Sequence, residues 1–249
     1  MAEARTTWRD IACDLRVAIA RGDYVPGDRL PSRSRLTQRY GVAPQTVVNA
    51  INALRAEGLV VGVTGSGWYV RRYGPVMRMA RTRLSRAERV AGRGAFHTDA
   101  HTGGWTARVE AEIRIEPACE EIAAALGLEP GAEVLVRDRV MFADDQAVQL
   151  ATSSLPRDLT AGTLVEQEDT GPGGIYARLE EAGHVLTHFD ETVRIGRATE
   201  HEADRLDVPV GAAVYRIRRI THTATRPVEI NIITAVGERY ELHYELPAE

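Results

Sequence analysis

Two arginines two positions apart, Arg137 and Arg139, stand in the alternating run Val134-Leu135-Val136-Arg137-Asp138-Arg139-Val140-Met141-Phe142. A strand there puts both guanidinium groups on one face and Asp138 on the other. Buried unpaired guanidinium is costly, so the pair must meet internal carboxylates, solvent or an anionic ligand. A second set of polar groups lies far upstream. Gln45 and Asn49 carry carboxamides able to bond an adenine edge bidentately, and Arg33 and Arg35 can meet phosphate or guanine. His97, Asp99 and His101 fall within five residues, but no further ligand is near and Gly103-Gly104 reads as loop, so no metal site is expected. Cys13 and Cys119 have no CxxC partner and are expected to be buried as small apolar groups. There is no GxSxG and no Cys/His pair, and neither a catalytic residue nor a cofactor is expected. Gly65-Ser66-Gly67 joins two strand-like runs with no helix after it, which excludes a phosphate-binding loop.

The upstream set needs rigid elements to hold it. Trp8, Ile11, Ala12, Leu15, Ala18 and Ile19 recur at helical spacing, with Thr6 or Thr7 as cap and Gly22 as terminator. Ser32 caps a short second helix that runs to Tyr40 and stops at Gly41. A third begins at Pro44, whose missing N–H costs nothing at the first helical position. Its Val47, Ile51 and Leu54 form an inward stripe and leave Gln45, Thr46, Asn49, Asn52 and Arg55 on other faces. Leu59-Val60-Val61 and Trp68-Tyr69-Val70 flank a Thr64-Gly65-Ser66-Gly67 turn and predict a hairpin. Helix, short helix, turn, helix and hairpin is the order of a winged helix-turn-helix, whose third helix enters the major groove while the hairpin tip reaches the minor groove.

Charge divides the chain in the same way. The 249 residues carry a formal −4, yet residues 1–83 sum to +8 and residues 84–249 to −12, every basic charge being Arg. A basic third joined to an acidic remainder suits one part that meets a polyanion and another that does not. The length suits two domains, and no apolar run approaches the ~18 to 20 residues of a membrane span. The start does not read as a signal peptide, so the cytoplasm is the expected location. Residues 71–90, rich in Arg and containing Gly74-Pro75, read as a linker, giving boundaries of 1–72, 73–90 and 91–249.

The acidic part repeats itself. Residues 118–150 align without a gap onto 198–230, with 9 identities over 33 positions. Each copy reads as a short helix, a Pro/Gly turn, a strand, a tight turn and a second strand; Thr199 with Glu202 makes a capping box in the later copy. Gln149 and Glu229 are equivalent positions, where a carboxylate can answer an arginine or a ligand's hydroxyl or amine. Two such units sharing one antiparallel sheet, with helices to one side, predict an α+β domain with a cleft between the copies.

These motifs carry a resemblance. The run GDYVPGDRLPSRSRLTQRYGVAPQTVVNAINALRAEGLVVGVTGSGWYV is similar to the DNA-binding domain of GntR-family bacterial transcription regulators. Residues from about 85 resemble the UTRA effector domain of the HutC-type members, related in fold to chorismate lyase. They share Arg137-x-Arg139, Gly174-Ile175-Tyr176 with Leu179-Glu180, Leu206 to Gly211, and Pro227-Val228-Glu229. The resemblance implies a homodimeric regulator, most simply a repressor, bound to pseudo-palindromic DNA and released by a small, often anionic effector. DNA contacts are expected from Arg33, Ser34, Arg35, Gln45, Thr46, Asn49, Thr64 and Gly65. Effector contacts are expected from Arg137, Arg139, Gln149, Gly174, Ile175, Tyr176 and Glu229. Backbone N–H groups of Gly173, Gly174 and Ile175 offer a further anion contact at a helix start. The chain departs from the family pattern at Arg33-Ser34, Ala43-Pro44 and Val48, which predicts an unusual operator, and at Gly174, Gln149 and Ala235 in the effector domain. The alternatives are a chorismate lyase-like enzyme tethered to DNA and a ligand-independent repressor whose second domain only dimerises.

Overall fold

The computed structural model describes residues 6–63, 65–71, 76–79 and 82–245, and the chain divides into two compact units, Met1–Gly74 and Pro75–Glu249. The first holds α1 (Trp8–Arg21), α2 (Arg33–Tyr40), α3 (Pro44–Ala56) and the antiparallel hairpin β1 (Val60–Val63) and β2 (Gly67–Val70). The expected caps are in place. Thr7 and Asp10 form a capping box on α1, Ser32 accepts from the Arg35 N–H on α2, and Gly41 ends α2 in the left-handed region. The core joins Ile11 and Leu15 of α1, Leu36 of α2, Val47, Ile51 and Leu54 of α3, and Val60 and Val70 of the hairpin. Three helices and a wing thereby bury one apolar face each.

The second unit is built on a six-stranded sheet of order β4-β5-β6-β9-β8-β7, antiparallel at every pairing. In chain order it comprises β3 (Val76–Met79), α4 (Arg86–Val90), α5 (Ala95–Gly103), β4 (Ala107–Pro117), α6 (Glu120–Leu126), β5 (Glu133–Ala143) and β6 (Gln146–Pro156). There follow α7 (Arg157–Thr160), α8 (Gly174–Glu181), β7 (Leu186–Arg197), α9 (Glu200–Leu206), β8 (Ala213–Thr223), β9 (Pro227–Val236) and β10 (Tyr240–His243). The repeat is longer than the sequence alignment showed, because 107–156 maps onto 187–236 once the edge strands β4 and β7 are included. Thr152 maps onto Ile232, and these two residues pair at the centre of the sheet. The sheet therefore has a pseudo-twofold axis between β6 and β9.

Helices cover both faces, in contrast to the one-sided arrangement expected. On one face α6 packs Ala123 and Leu126 against Val134, Val136, Ile220 and Ile230, while Leu206 of α9 meets Leu150 and Val236. On the other, Phe96 of α5 meets Met141, Ile217 and Ile233, and Ile175, Tyr176 and Leu179 of α8 meet Leu135 and Leu155. The alternation of side chains along each strand separates the two sets. Asp138 falls on the α9 face, as its place between the arginines required, and binds Arg205 at 3.2 Å.

Three further expectations give way. Within the expected linker, Val76–Met79 forms a strand parallel to Tyr240–His243, and Arg86–Val90 is helical with Arg89 bonded to Glu180. Gly74-Pro75 lies outside the described residues. The His97–His101 segment is helix rather than loop, with Gly104 as its left-handed C-cap, and Asp99 is paired with Arg83 at 2.8 Å. Cys13 and Cys119 are exposed. Among the described residues, no helix is long and apolar enough to cross a membrane.

Candidate functional site

In the first unit, α3 keeps its two roles on separate faces. Val47, Ala50, Ile51 and Leu54 are buried, while Gln45 and Asn49 are exposed one turn apart, Gln45 Nε2 donating to Asn49 Oδ1 at 3.0 Å. Thr46 is half-buried. Ala43 gives the helix no side-chain cap; Pro44 has no N–H to offer and the Thr46 N–H is taken by the Ala43 carbonyl at 2.9 Å. Arg33, Ser34 and Arg35 are exposed at the start of α2. Gly65, with φ +74°, stands between the two strands of the hairpin; Thr64 lies outside the described residues. A cavity of about 670 Å³ joins Arg33 and Ser34 to Gly65 and also takes in Arg29 and Arg55. Those two exposed arginines were absent from the sequence-based set. Arg29 was hidden by the turn it sits in, although its bridge to Tyr69 fixes it against the wing. Gln45, Thr46 and Asn49 do not line this cavity. They stand on α3 itself, so the surface consists of a helix face and a basic recess under the wing.

In the second unit, all seven expected effector residues line one cavity of about 780 Å³ on the α5/α8 face of the sheet. They are used differently. Glu229 is fully buried and accepts from Ser153 Oγ at 2.6 Å, Tyr176 Oη at 2.6 Å and Thr221 Oγ1 at 2.9 Å. Burial keeps the Tyr176 phenol protonated well above its usual range; Arg219 opposes this and the carboxylate of Glu229 adds to it. Arg139 donates through Nη2 to Ser153 and thus joins the same network. Burial lowers its pKa, and the Glu229 charge opposes that. Arg137 donates to the carbonyls of Val165, Gln167 and Glu168. Its guanidinium clasps a loop, and burial together with Arg139 brings its pKa down to about 10. Gln149 donates to Met141 and accepts from Tyr240 Oη at 3.1 Å.

The start of α8 is a tight fit. A Cβ at Gly173, where φ is +83°, would lie 2.9 Å from the Arg89 carbonyl oxygen, so only glycine suits that position. Gly174 also has positive φ, and its N–H is committed to the Gly171 carbonyl at 3.2 Å. Of the three backbone donors expected to cradle an anion there, that one is taken. Ile175 is buried and contributes apolar wall. The sequence-based set also omitted Arg219 and Asn231, both buried and both lining the cavity. The available signal was the repeat itself, in which Arg139 and Arg219 occupy equivalent positions.

Residues 7–70 match the gntR family of bacterial regulatory proteins, and residues 110–241 match the UTRA domain. The chain belongs to the GntR family. It is a DNA-binding transcription regulator with a C-terminal UTRA domain for small-molecule effectors. An HTH-type transcriptional regulator of Streptomyces coelicolor is 31% identical over 98% of this chain and 94% of its own length. The histidine utilization repressor of Pseudomonas putida is 27% identical over 90% of this chain and 85% of its own. The crystal structure of PhnF from Mycobacterium smegmatis superposes with a TM-score of 0.63, covering 96% of this chain and all of that one, at 23% identity. That last likeness bears on the fold alone. Both halves of this GntR regulator thus have a family match that coincides with a surface or cavity of fitting chemistry.

Proposed function

We propose that this GntR regulator is a repressor that binds a two-fold-related operator as a homodimer and leaves it when an anionic effector enters the UTRA cavity. In this reading residues 1–72 bind DNA and residues 91–249 bind effector and dimerise. The chain turns nothing over and acts in the cytoplasm. The observation that carries it is the pairing of an exposed amide-bearing helix face in one unit with an arginine-lined buried cavity in the other. Gln45 and Asn49 read base edges, and Arg33, Ser34, Arg35, Thr46, Thr64 and Gly65 contact backbone or groove, with Arg29 and Arg55 added from the recess. One winged domain has a small footprint, so two half-sites related by a dyad supply the specificity. In the cavity, Arg139, Gln149, Tyr176 and Glu229 contact the effector, Arg137 holds the 165–168 loop over it, and Gly174 and Ile175 shape its wall. The effector switches the protein only through unequal affinity for the DNA-bound and free arrangements.

The test is selection of bound duplexes from a random pool by the full chain, followed by a metabolite screen for release of the selected site. A dyad-related sequence and at least one small acid that releases it are expected. An unenriched pool overturns the DNA reading. Selection without release by any metabolite overturns the effector reading and leaves the ligand-independent repressor.

A further inference from the structure

Arg219 is 4% exposed, and its Nε and Nη1 have no hydrogen-bond partner. Its Nη1 makes a long ion pair with Glu191 Oε2 at 3.7 Å, and its Cζ lies 6.0 Å from the centre of the Tyr176 ring; burial disfavours its charge, but Tyr176, Glu229 and Glu191 outweigh that and raise its pKa. Glu191 is already engaged by two guanidinium nitrogens of Arg78, which is fully buried. Beside Arg219 on the next strand stands Asn231, 3% exposed, its Oδ1 likewise without a partner. Both side chains line the effector cavity. Arg219 is thus held charged while two of its donors stay open, and a ligand acid is the group that would complete them.

The register shows where that group would sit. Arg137, Ser153, Asn231 and Arg219 follow one another across β5, β6, β9 and β8 in a single row on the cavity face. Arg139 reaches this row at Ser153. Ser153 and Arg219 are two strand spacings apart, about 9–10 Å. Arg139 and Arg219 are the same position in the two copies of the repeat, so they enter the cavity from either side of the pseudo-twofold axis. Their cross-strand neighbours differ, Ala111 beside Arg139 and Glu191 beside Arg219. Among the residues that line the cavity, Arg83, Arg137, Arg139 and Arg219 are buried or half-buried against one buried carboxylate, Glu229, and of the four arginines Arg83 is paired with Asp99. Glu110, Glu168 and Asp169 at its edge are exposed and screened by water.

We infer that the cavity has a second acid-binding subsite, Arg219 with Asn231, and that its ligand is a small two-ended acid gripped at one end by Arg139 and at the other by Arg219. This rests on the effector reading of the cavity and narrows it to a dianion class. Asn231 helps because its amide can turn to present its NH2 to the ligand carboxylate, which only accepts.

The experiment titrates the full chain with straight-chain dicarboxylates from succinate to suberate and with the monocarboxylate of each length, in wild type, Arg219→Met and Arg139→Gln, following heat of binding and thermal unfolding. One dicarboxylate is expected to bind at least tenfold tighter than its monocarboxylate. Arg219→Met should remove that advantage while leaving monocarboxylate binding in place, and Arg139→Gln should weaken both. Ligand-free Arg219→Met should unfold at the wild-type temperature or above, since Glu191 keeps Arg78. The inference is overturned if no dicarboxylate outperforms its monocarboxylate, if the advantage survives in Arg219→Met, or if that variant loses about 5 °C or more without ligand, the mark of a structural ion pair. Monocarboxylates that bind through Arg139 with no dicarboxylate advantage sink the second subsite but keep the effector cavity. Binding of none of these acids to wild type sinks the two-ended acid alone, because release of DNA by other metabolites still decides the cavity's role.

Discussion

The two units solve recognition in opposite ways. The DNA-binding unit keeps Gln45 and Asn49, the proposed base-reading residues, exposed on the outer face of a helix whose inner face is fully apolar, so on this proposal stability and recognition are separable there. The UTRA unit places Arg137, Glu229, Gln149 and Asn231 inside, where the residues available to a ligand also hold the fold together. A surface site can change its specificity at little cost to the fold, whereas a buried one carries its polar groups as a standing load on stability.

The largest effect that can break this contrast is expected at Glu229. Glu229→Ala strips Ser153, Tyr176 and Thr221 of their shared acceptor and leaves Arg139 without its nearest countercharge; it should cost about 3–5 kcal/mol in denaturant unfolding. If it costs nothing, the cavity network is not structural. Next come Gln45→Ala and Asn49→Ala, each weakening binding to the selected duplex by about 1–3 kcal/mol while moving unfolding by less than about 0.5 kcal/mol. A matching loss of stability would erase the separation of faces. The helix caps should behave alike in both units. Thr7→Ala and Thr199→Ala each remove a capping box and should each cost about 1 kcal/mol, so unequal losses would show that the units differ in more than their sites.

Acid sensitivity sharpens the comparison further. Glu202, held by Arg216 and by the Thr199 cap, has its carboxyl lowered from 4.5 to about 2. A depressed carboxyl stabilises the fold fully above its unfolded value and loses that contribution as pH falls from about 4.5 toward 2. Glu202→Gln should therefore lower stability at neutral pH and flatten its decline over that interval, as measured by unfolding at a series of pH values.

Local signals were the most legible in the sequence. Ser32, Gly41 and Pro44 placed α2 and α3 because caps and a first-turn proline act within a few residues. The repeat announced the sheet, and Gln149 and Glu229, equivalent in it, line one cavity. What escaped depends on distant partners. Val76–Met79 is a strand only because Tyr240–His243 lies beside it, far along the chain, so its Arg-rich surroundings read as linker. Gly103-Gly104 looked like loop, yet Gly104 ends a helix. The edge strands β4 and β7 alternate cleanly, but the copies diverge there, with Ala111 opposite Arg139 and Glu191 opposite Arg219. The repeat put Arg219 at the position of Arg139, but the open hydrogen-bonding capacity that singles it out is one that no spacing rule reveals.

The central claim is that α3 reads base edges. Its most direct test is equilibrium binding of the full chain to the selected duplex and to a scrambled duplex of equal composition, at about 150 mM salt. A preference of about a thousandfold or more for the selected site is predicted. Equal, weak and steeply salt-dependent binding to both would mean that the basic unit holds phosphates alone, and it would contradict the account.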